Sequence, residues 1–496
     1  MRVKLKYYSK FIPVVVTTVC ILVISMIAFK IISYGFLPCD DALAHAAKVI
    51  SGKDLNQIMV IRPDVKLDPN AGWRAILELV HYVTGWDVLG LVLFSVVSLF
   101  ILYSLVGISS LRRPEAWPIM LLILTLAWGA PVGRLIEGRP YIVTMTTMLF
   151  ICFAWPRLTE KKPPYDILSL LALSIASSTW IHCSWYIFGL PVIALLLARQ
   201  PLASARLAAA AACGVILGAV MTGHPVTFLT HTVRHPFLVF GNIRFQNMLV
   251  GELLPGDGSV VLVIAVLLLM AWRALRGRWD SKVIDNPVFI LGSLCWVLGF
   301  MTMRVWLDIG IPALSFWVAN EIQDFLETGM GPLSAKRLVV AFMALGTLYF
   351  AVTSDINFRW SGSIFRESMT ANNPEQKDLL PDPGGILYST DMLVYFRTFF
   401  KNPRAEWRYM VGSEPAIMPP EDLKIFRDLQ FHFGDIAYFK PWVDKMKPED
   451  RLIIQYGPDK PPPLEGLKWS KITGTQWSGR LPRKGDPPID GAKKTT

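Results

Sequence analysis

The chain has 496 residues, 53% of them hydrophobic and only 18% charged, with a mean hydropathy of +0.43. That is too apolar for a soluble globular protein of this length, and runs near the ~20 apolar residues that cross a bilayer recur over the first 355 positions. The net charge of +11 concentrates in short loops, as positive-inside sorting requires, and no basic–aromatic module points to nucleic acid.

The first ten residues are basic and are followed by an apolar run over 11–34. That run is too long for the core of a signal peptide, and no small-x-small cleavage site follows it, so it reads as an uncleaved first span with a cytoplasmic N-terminus. Further spans are predicted at 87–109, 116–132, 140–155, 166–181, 185–198, 206–222, 259–272, 287–303, 309–322 and 338–354. The tenth contains Pro312 and ends in Asn320-Glu321, which suggests a broken or re-entrant segment. Alternating these spans gives cytoplasmic loops carrying Arg112/Arg113, then Arg157/Lys161/Lys162, Arg199/Arg206, Arg273/Arg276/Arg278/Lys282 and Lys336/Arg337. The longer loops on the other side are poorer in basic residues. Eleven spans with an external C-terminus follow. All seven histidines (His45, His81, His182, His224, His231, His235 and His432) then fall outside or at that interface.

The first external loop, 35–86, is the longest of the membrane half and opens with Pro38-Cys39-Asp40-Asp41. A short amphipathic helix is expected over 42–50, ended by Ser51-Gly52. A second, over 73–83, is too short and polar to span and should lie on the membrane surface with Trp73 and Tyr82 at headgroup depth. Later external loops hold Arg134, Glu137 and Arg139; His182 between Trp180 and Trp185; His224, His231, His235, Arg244 and Glu252; and Arg304 with Asp308. Beyond about 355, charges and prolines rise and no span remains. Strands at 386–389, 407–411, 452–456 and 468–473 alternate with helices at 391–401 and 419–429, which predicts a small external α/β domain over 356–480. The end, 481–496, reads as disordered.

An acidic pair opening a helix is by itself an ordinary cap and dipole complement. Beside external Arg and His residues it also suits one chemistry. A carboxylate can deprotonate a hydroxyl or hold a divalent cation, and Arg binds phosphate with two parallel hydrogen bonds. His45 lies four residues after Asp41, on the same helix face, either as a plain ion pair or as part of a site. His231 and His235 share that spacing, but Pro236 disfavours helix there and a zinc site with it. The six cysteines are scattered without a CxxC, which argues against a disulfide framework or a Cys-based zinc site. No Gly-rich phosphate loop supports a nucleotide-driven pump.

This arrangement resembles the GT-C membrane glycosyltransferases, which use polyprenyl-phosphate-linked sugars. Cys39-Asp40-Asp41-Ala-Leu-Ala-His45 is similar to their loop-opening acidic motif, and Asp68-Pro-Asn-Ala-Gly-Trp73 to the entrance of their surface helix. Gly138-Arg139-Pro140 is similar to an Arg-Pro at the start of the fourth span, and Trp180-Ile-His182 to a third-loop Trp-x-His. Tyr388 to Asp391, Phe399 to Pro403 and Tyr409 to Gly412 look like the external domain of bacterial GT-C-like proteins. No oligosaccharyltransferase-type WWD motif is present, and Glu137 is a weak match to the second acidic motif of metal-dependent members. The resemblance implies a polytopic α-helical fold of about eleven spans in the cytoplasmic membrane and an inverting transfer onto a cell-envelope acceptor on the periplasmic face. It implies Asp40 or Asp41 as the base, His45, Arg139, His182 and Arg304 for substrate binding, a lipid-linked sugar donor as partner, and an open question over a divalent cation. The competing expectation is a transporter or scaffold subunit that binds a lipid-linked anion without chemistry.

Overall fold

The computed structural model describes residues 11–483 apart from 66–67, 128–129, 240–253, 257–259, 276, 278–284, 332, 365–367, 413–414 and 433. The basic stretch 1–10, the tail from 484 onward, Arg244, Glu252, Arg276, Arg278, Lys282 and the side chains of Arg234 and His235 lie outside the described residues.

Among the described residues, each segment expected to be an apolar span is mostly helical. The long helices are α1 (Ile12–Ser33), α4 (Val88–Ser109), α5 (Ala116–Ala127), α7 (Tyr141–Leu158), α8 (Tyr165–Ile181), α9 (Gly189–Leu197), α10 (Pro201–Met221), α12 (Val260–Leu275), α13 (Pro287–Gly299), α14 (Ile311–Gly329) and α15 (Lys336–Thr353). Five of these, α1, α4, α7, α10 and α15, have at least 18 residues and are apolar enough to cross a bilayer. Between them lie α2 (Asp41–Ser51), α3 (Ala71–Thr84), α6 (Ala130–Ile136) and α11 (Pro225–Val239). The chain is a multi-pass membrane protein.

Lipid supplies no hydrophobic drive between helices, so close packing must. The tightest pair is α8 against α10, where a Cβ on Gly214 would lie 2.5 Å from the Ala172 carbonyl and one on Gly218 2.5 Å from that of Ala176. A buried polar staple closes one end of the bundle. Arg337 donates two bonds to Glu115, at 2.7 and 2.9 Å, and Gln323 Oε1 accepts from the backbone N–H groups of Arg112 and Arg113.

Two expectations are corrected. The tenth segment is not broken, because helix runs without interruption from Met303 to Gly329. A π-helical turn over Trp306–Gly310 precedes Pro312 and absorbs the ring that an α-helical interior would reject. Trp73 faces the protein interior: it is 3% exposed and stacks on Phe94, with ring centroids 6.5 Å apart. Tyr82, on the other face of α3, is exposed. Finally, α11 continues through His235 and Pro236 to Val239.

The C-terminal unit is a five-stranded sheet of order β2-β1-β3-β5-β4. Its strands are β1 (Ile386–Ser389), β2 (Arg408–Tyr409), β3 (Arg451–Gln455), β4 (Lys468–Thr473) and β5 (Gln476–Arg480), with α16 (Met392–Lys401) and α17 (Pro420–Phe431) between them. β1 pairs parallel with β2 and β3, and β5 is antiparallel to both β3 and β4. The sequence reading missed β5. One core, with Tyr388, Phe426, Leu429 and Trp442, is built from this unit, with Val60 of the first loop packed against it. Its opposite face, with Tyr395, Phe399, Trp407 and Tyr409, joins the core of the membrane half. The first loop is sewn to it by backbone: Met59 forms a parallel bridge to Tyr409, Val60 N–H donates to the Tyr409 carbonyl at 2.9 Å, and Arg62 N–H to that of Ile417 at 2.9 Å. Lys53 Nζ donates to the Ala405 carbonyl. Helix α2 is thereby clamped between α4 and α16.

Candidate active site

Asp40 is the N-cap of α2. Its backbone is extended, and its Oδ1 accepts the Ala42 N–H at 3.4 Å. Asp41 opens the first turn. Burial pushes the Asp40 carboxyl well above the usual carboxylate range; Arg139 opposes the shift, and Glu137 and Asp41 add to it.

Arg139 reaches this pair from the Gly138-Arg139-Pro140 corner. Gly138 has φ +68°, and a Cβ there would meet the Val96 backbone nitrogen at 2.9 Å, so the corner requires glycine. Arg139 Nη2 lies 2.8 Å from Asp41 Oδ2, while Nη1 is 3.9 Å from both Asp40 Oδ2 and Glu137 Oε2. Its guanidinium lies 5.0 Å from the centre of the Tyr141 ring.

Tyr141 links this half of the site to the other. Its hydroxyl is 2.6 Å from Glu137 Oε2 and 2.8 Å from the Arg134 carbonyl; with one proton, it donates to one of them at a time. The Arg134 guanidinium covers the same ring at 3.9 Å. Arg134 then donates to Asp308 Oδ1 through Nε at 3.1 Å and Nη2 at 2.7 Å. Arg304 Nε approaches Asp308 Oδ2 at 3.3 Å, and its Nη2 lies 2.8 Å from His182 Nε2. Arginine has only donors, so Nε2 accepts and the ring proton sits on Nδ1, 3.0 Å from Thr144 Oγ1. Thr144 in turn lies 2.9 Å from Ser178 Oγ. The π-helical turn carries Asp308 into this buried position.

The structure thus joins Asp40, Asp41, Arg139, His182 and Arg304 in one polar network. His45 stands beside it rather than in it. The Asp41–His45 ion pair that the spacing allows is not formed, because Asp41 turns to Arg139. His45 Nε2 is buried without a hydrogen-bond partner. Burial lowers the His45 pKa, against Asp41 and Asp68, and so favours the neutral ring. One turn on, Lys48 Nζ pairs with Asp68 Oδ2 at 2.6 Å. Burial alone would raise Asp68, but the Lys48 charge and the Asn70 N–H outweigh it and hold the carboxyl below its ordinary value.

Sequence reasoning missed Tyr141, Thr144 and Asp308 as members of the site and did not include Arg134 among the site residues. One signal was present: Arg304 and Asp308 are four apart on an apolar helix, where a paired charge needs a reason. For a divalent cation the fit is poor. A guanidinium already occupies the centre of the three carboxylates, and among the described residues no group of three His, Cys, Asp or Glu side chains is arranged to hold a metal.

No family model matches the sequence, and no curated protein sequence matches it. Among solved structures, the chain is similar to ArnT from Cupriavidus metallidurans bound to undecaprenyl phosphate, with 14% identity and a TM-score of 0.55. The likeness covers 94% of this chain and 97% of that one. At this identity the shared property is the fold.

Proposed function

We propose that the protein is an inverting membrane glycosyltransferase that moves a sugar from a polyprenyl phosphate to a hydroxyl of a cell-envelope acceptor. The convergence of the acidic pair with Arg139, His182 and Arg304 is the observation that carries this reading. Asp40 or Asp41 takes the proton of the acceptor hydroxyl. The hydroxyl oxygen bonds to the anomeric carbon, the carbon–oxygen bond to phosphate breaks, and the electron pair leaves with the polyprenyl phosphate. Arg139 meets the charge that develops on that phosphate, and His182 with Arg304 holds the other side. ArnT, crystallised with undecaprenyl phosphate over a similar fold, supports this donor class. In this reading residues 1–355 form an eleven-span domain in the cytoplasmic membrane with a cytoplasmic N-terminus, and the unit over 356–480 lies on the periplasmic side.

The test is mass spectrometry of envelope glycolipids and glycans in a strain lacking the gene, complemented with wild type, Asp40→Asn or Asp41→Asn. Wild type should restore a sugar-bearing species, and at least one variant, present at normal level, should not. If both variants restore it fully, the transferase mechanism fails and a carrier without chemistry is the better reading.

A further inference from the structure

We infer that Arg139 and Asp41 form an exchangeable ion pair: an anionic donor phosphate draws Arg139 off Asp41, so that this carboxylate is bared only when the donor is bound. The inference rests on the donor class proposed above.

Three carboxylates surround Arg139, and they are not equivalent. Asp40 spends Oδ1 on the backbone N–H of Ala42. Glu137 is held by the Tyr141 hydroxyl at 2.6 Å. Of the three, Asp41 lies closest to the guanidinium, at 2.8 Å, against 3.9 Å for the other two. Its side chain is also the most open of the three, at 38% exposure against 23% for Asp40 and 32% for Glu137. An acceptor hydroxyl therefore reaches Asp41 most easily, yet its carboxylate is engaged.

Arg139 itself is fixed at its root. Gly138 and Pro140 pin the backbone on either side, and the guanidinium lies beside the Tyr141 ring. A phosphate placed beside that guanidinium offers two oxygens to the planar fork and competes with Asp41 for the same donors. Once Arg139 has turned, Asp41 loses its counterion at the moment when a leaving group is in place. A site ordered in this way keeps its base engaged until donor arrives.

Binding of undecaprenyl phosphate to the purified full-length protein in detergent tests this without requiring the acceptor. Arg139→Gln should weaken binding. Asp41→Asn should tighten it by about tenfold, since it removes the competitor for Arg139. Glu137→Gln removes a like charge from the same guanidinium but no close pair, and should change affinity by less than about twofold. In the Arg139→Gln background the Asp41→Asn gain should vanish. Melting curves check that each variant is folded, and the comparison of Asp41→Asn with Glu137→Gln decides the matter even if Arg139→Gln is not. Equal gains from Asp41→Asn and Glu137→Gln, or a gain that survives without Arg139, would mean plain charge repulsion and overturn the exchange. Weaker binding by Asp41→Asn would mean that Asp41 positions Arg139, and overturns it too. If wild type and Arg139→Gln both fail to bind the lipid, the donor class itself is wrong and the exchange goes with it.

Discussion

Asp308 is the node on which the two halves of the site meet, and its replacement by asparagine isolates one charge. The side chain is 3% exposed and accepts three contacts from two guanidiniums, those of Arg134 and Arg304. Asparagine keeps the shape and one acceptor oxygen but takes the shared counterion from the buried Arg134 and the part-buried Arg304. Breaking a buried pair from one side costs about 3–5 kcal/mol, because the surviving charge stays desolvated. Two variants calibrate the measurement. Glu115→Gln breaks the other buried carboxylate node, against Arg337, and belongs to the same range. Asp444→Asn breaks an exposed pair with Lys440 and should cost about 0–1 kcal/mol. Thermal unfolding of the three proteins in one detergent should rank Asp308→Asn with Glu115→Gln and well below Asp444→Asn. A midpoint for Asp308→Asn indistinguishable from that of Asp444→Asn would refute the claim that this node is a desolvated, structure-bearing pair.

Gly218→Leu drives a side chain into the Ala176 carbonyl and the Thr179 side chain, parts α8 from α10 and should lower the folded yield, whereas the same change at Gly346, which meets nothing within 4 Å, should not; equal yields would refute the packing argument. Asp40→Asn keeps an equally good cap but cannot ionise. Because the folded Asp40 pKa is raised, wild-type stability falls as pH climbs from about 4 through the folded value, and the variant should gain on wild type over that range; parallel melting-versus-pH curves would contradict it. Asp68 is the opposite case. Its lowered pKa stabilises the fold above the ordinary carboxylate range, and that stability is lost as pH falls through the folded value, so Lys48→Met should remove this acid limb and an unchanged limb would rule out the pairing as its source.

The parts of this molecule that a one-dimensional pattern encodes were legible. Apolar runs locate the helices, and the alternation near the C-terminus locates β1, β3 and α16. Asp40 and Gly52 bracket α2 because both act within a few residues of it. What stayed hidden depends on partners distant in sequence. Trp73 looks like an interfacial anchor until α4 supplies Phe94. Asp41 and His45 look like a pair until Arg139 arrives from a different loop. The π-helical turn around Asp308 has no local signature beyond a proline placed where an α-helix would resist it.

The backbone seam between the first loop and the C-terminal unit bears on when the site can exist at all. Lys53 and its acceptor at Ala405 are separated by 352 positions. At ~5–20 residues per second, synthesis of the intervening chain takes roughly 20–70 s. Throughout that interval α2 is already made, while the helix that covers it, α16, is not. The acidic pair therefore reaches its final setting as one of the last acts of biogenesis. A nascent chain that has passed Asp308 but not reached Met392, or one cut short between them, carries every residue of the polar network and lacks the clamp that aligns it.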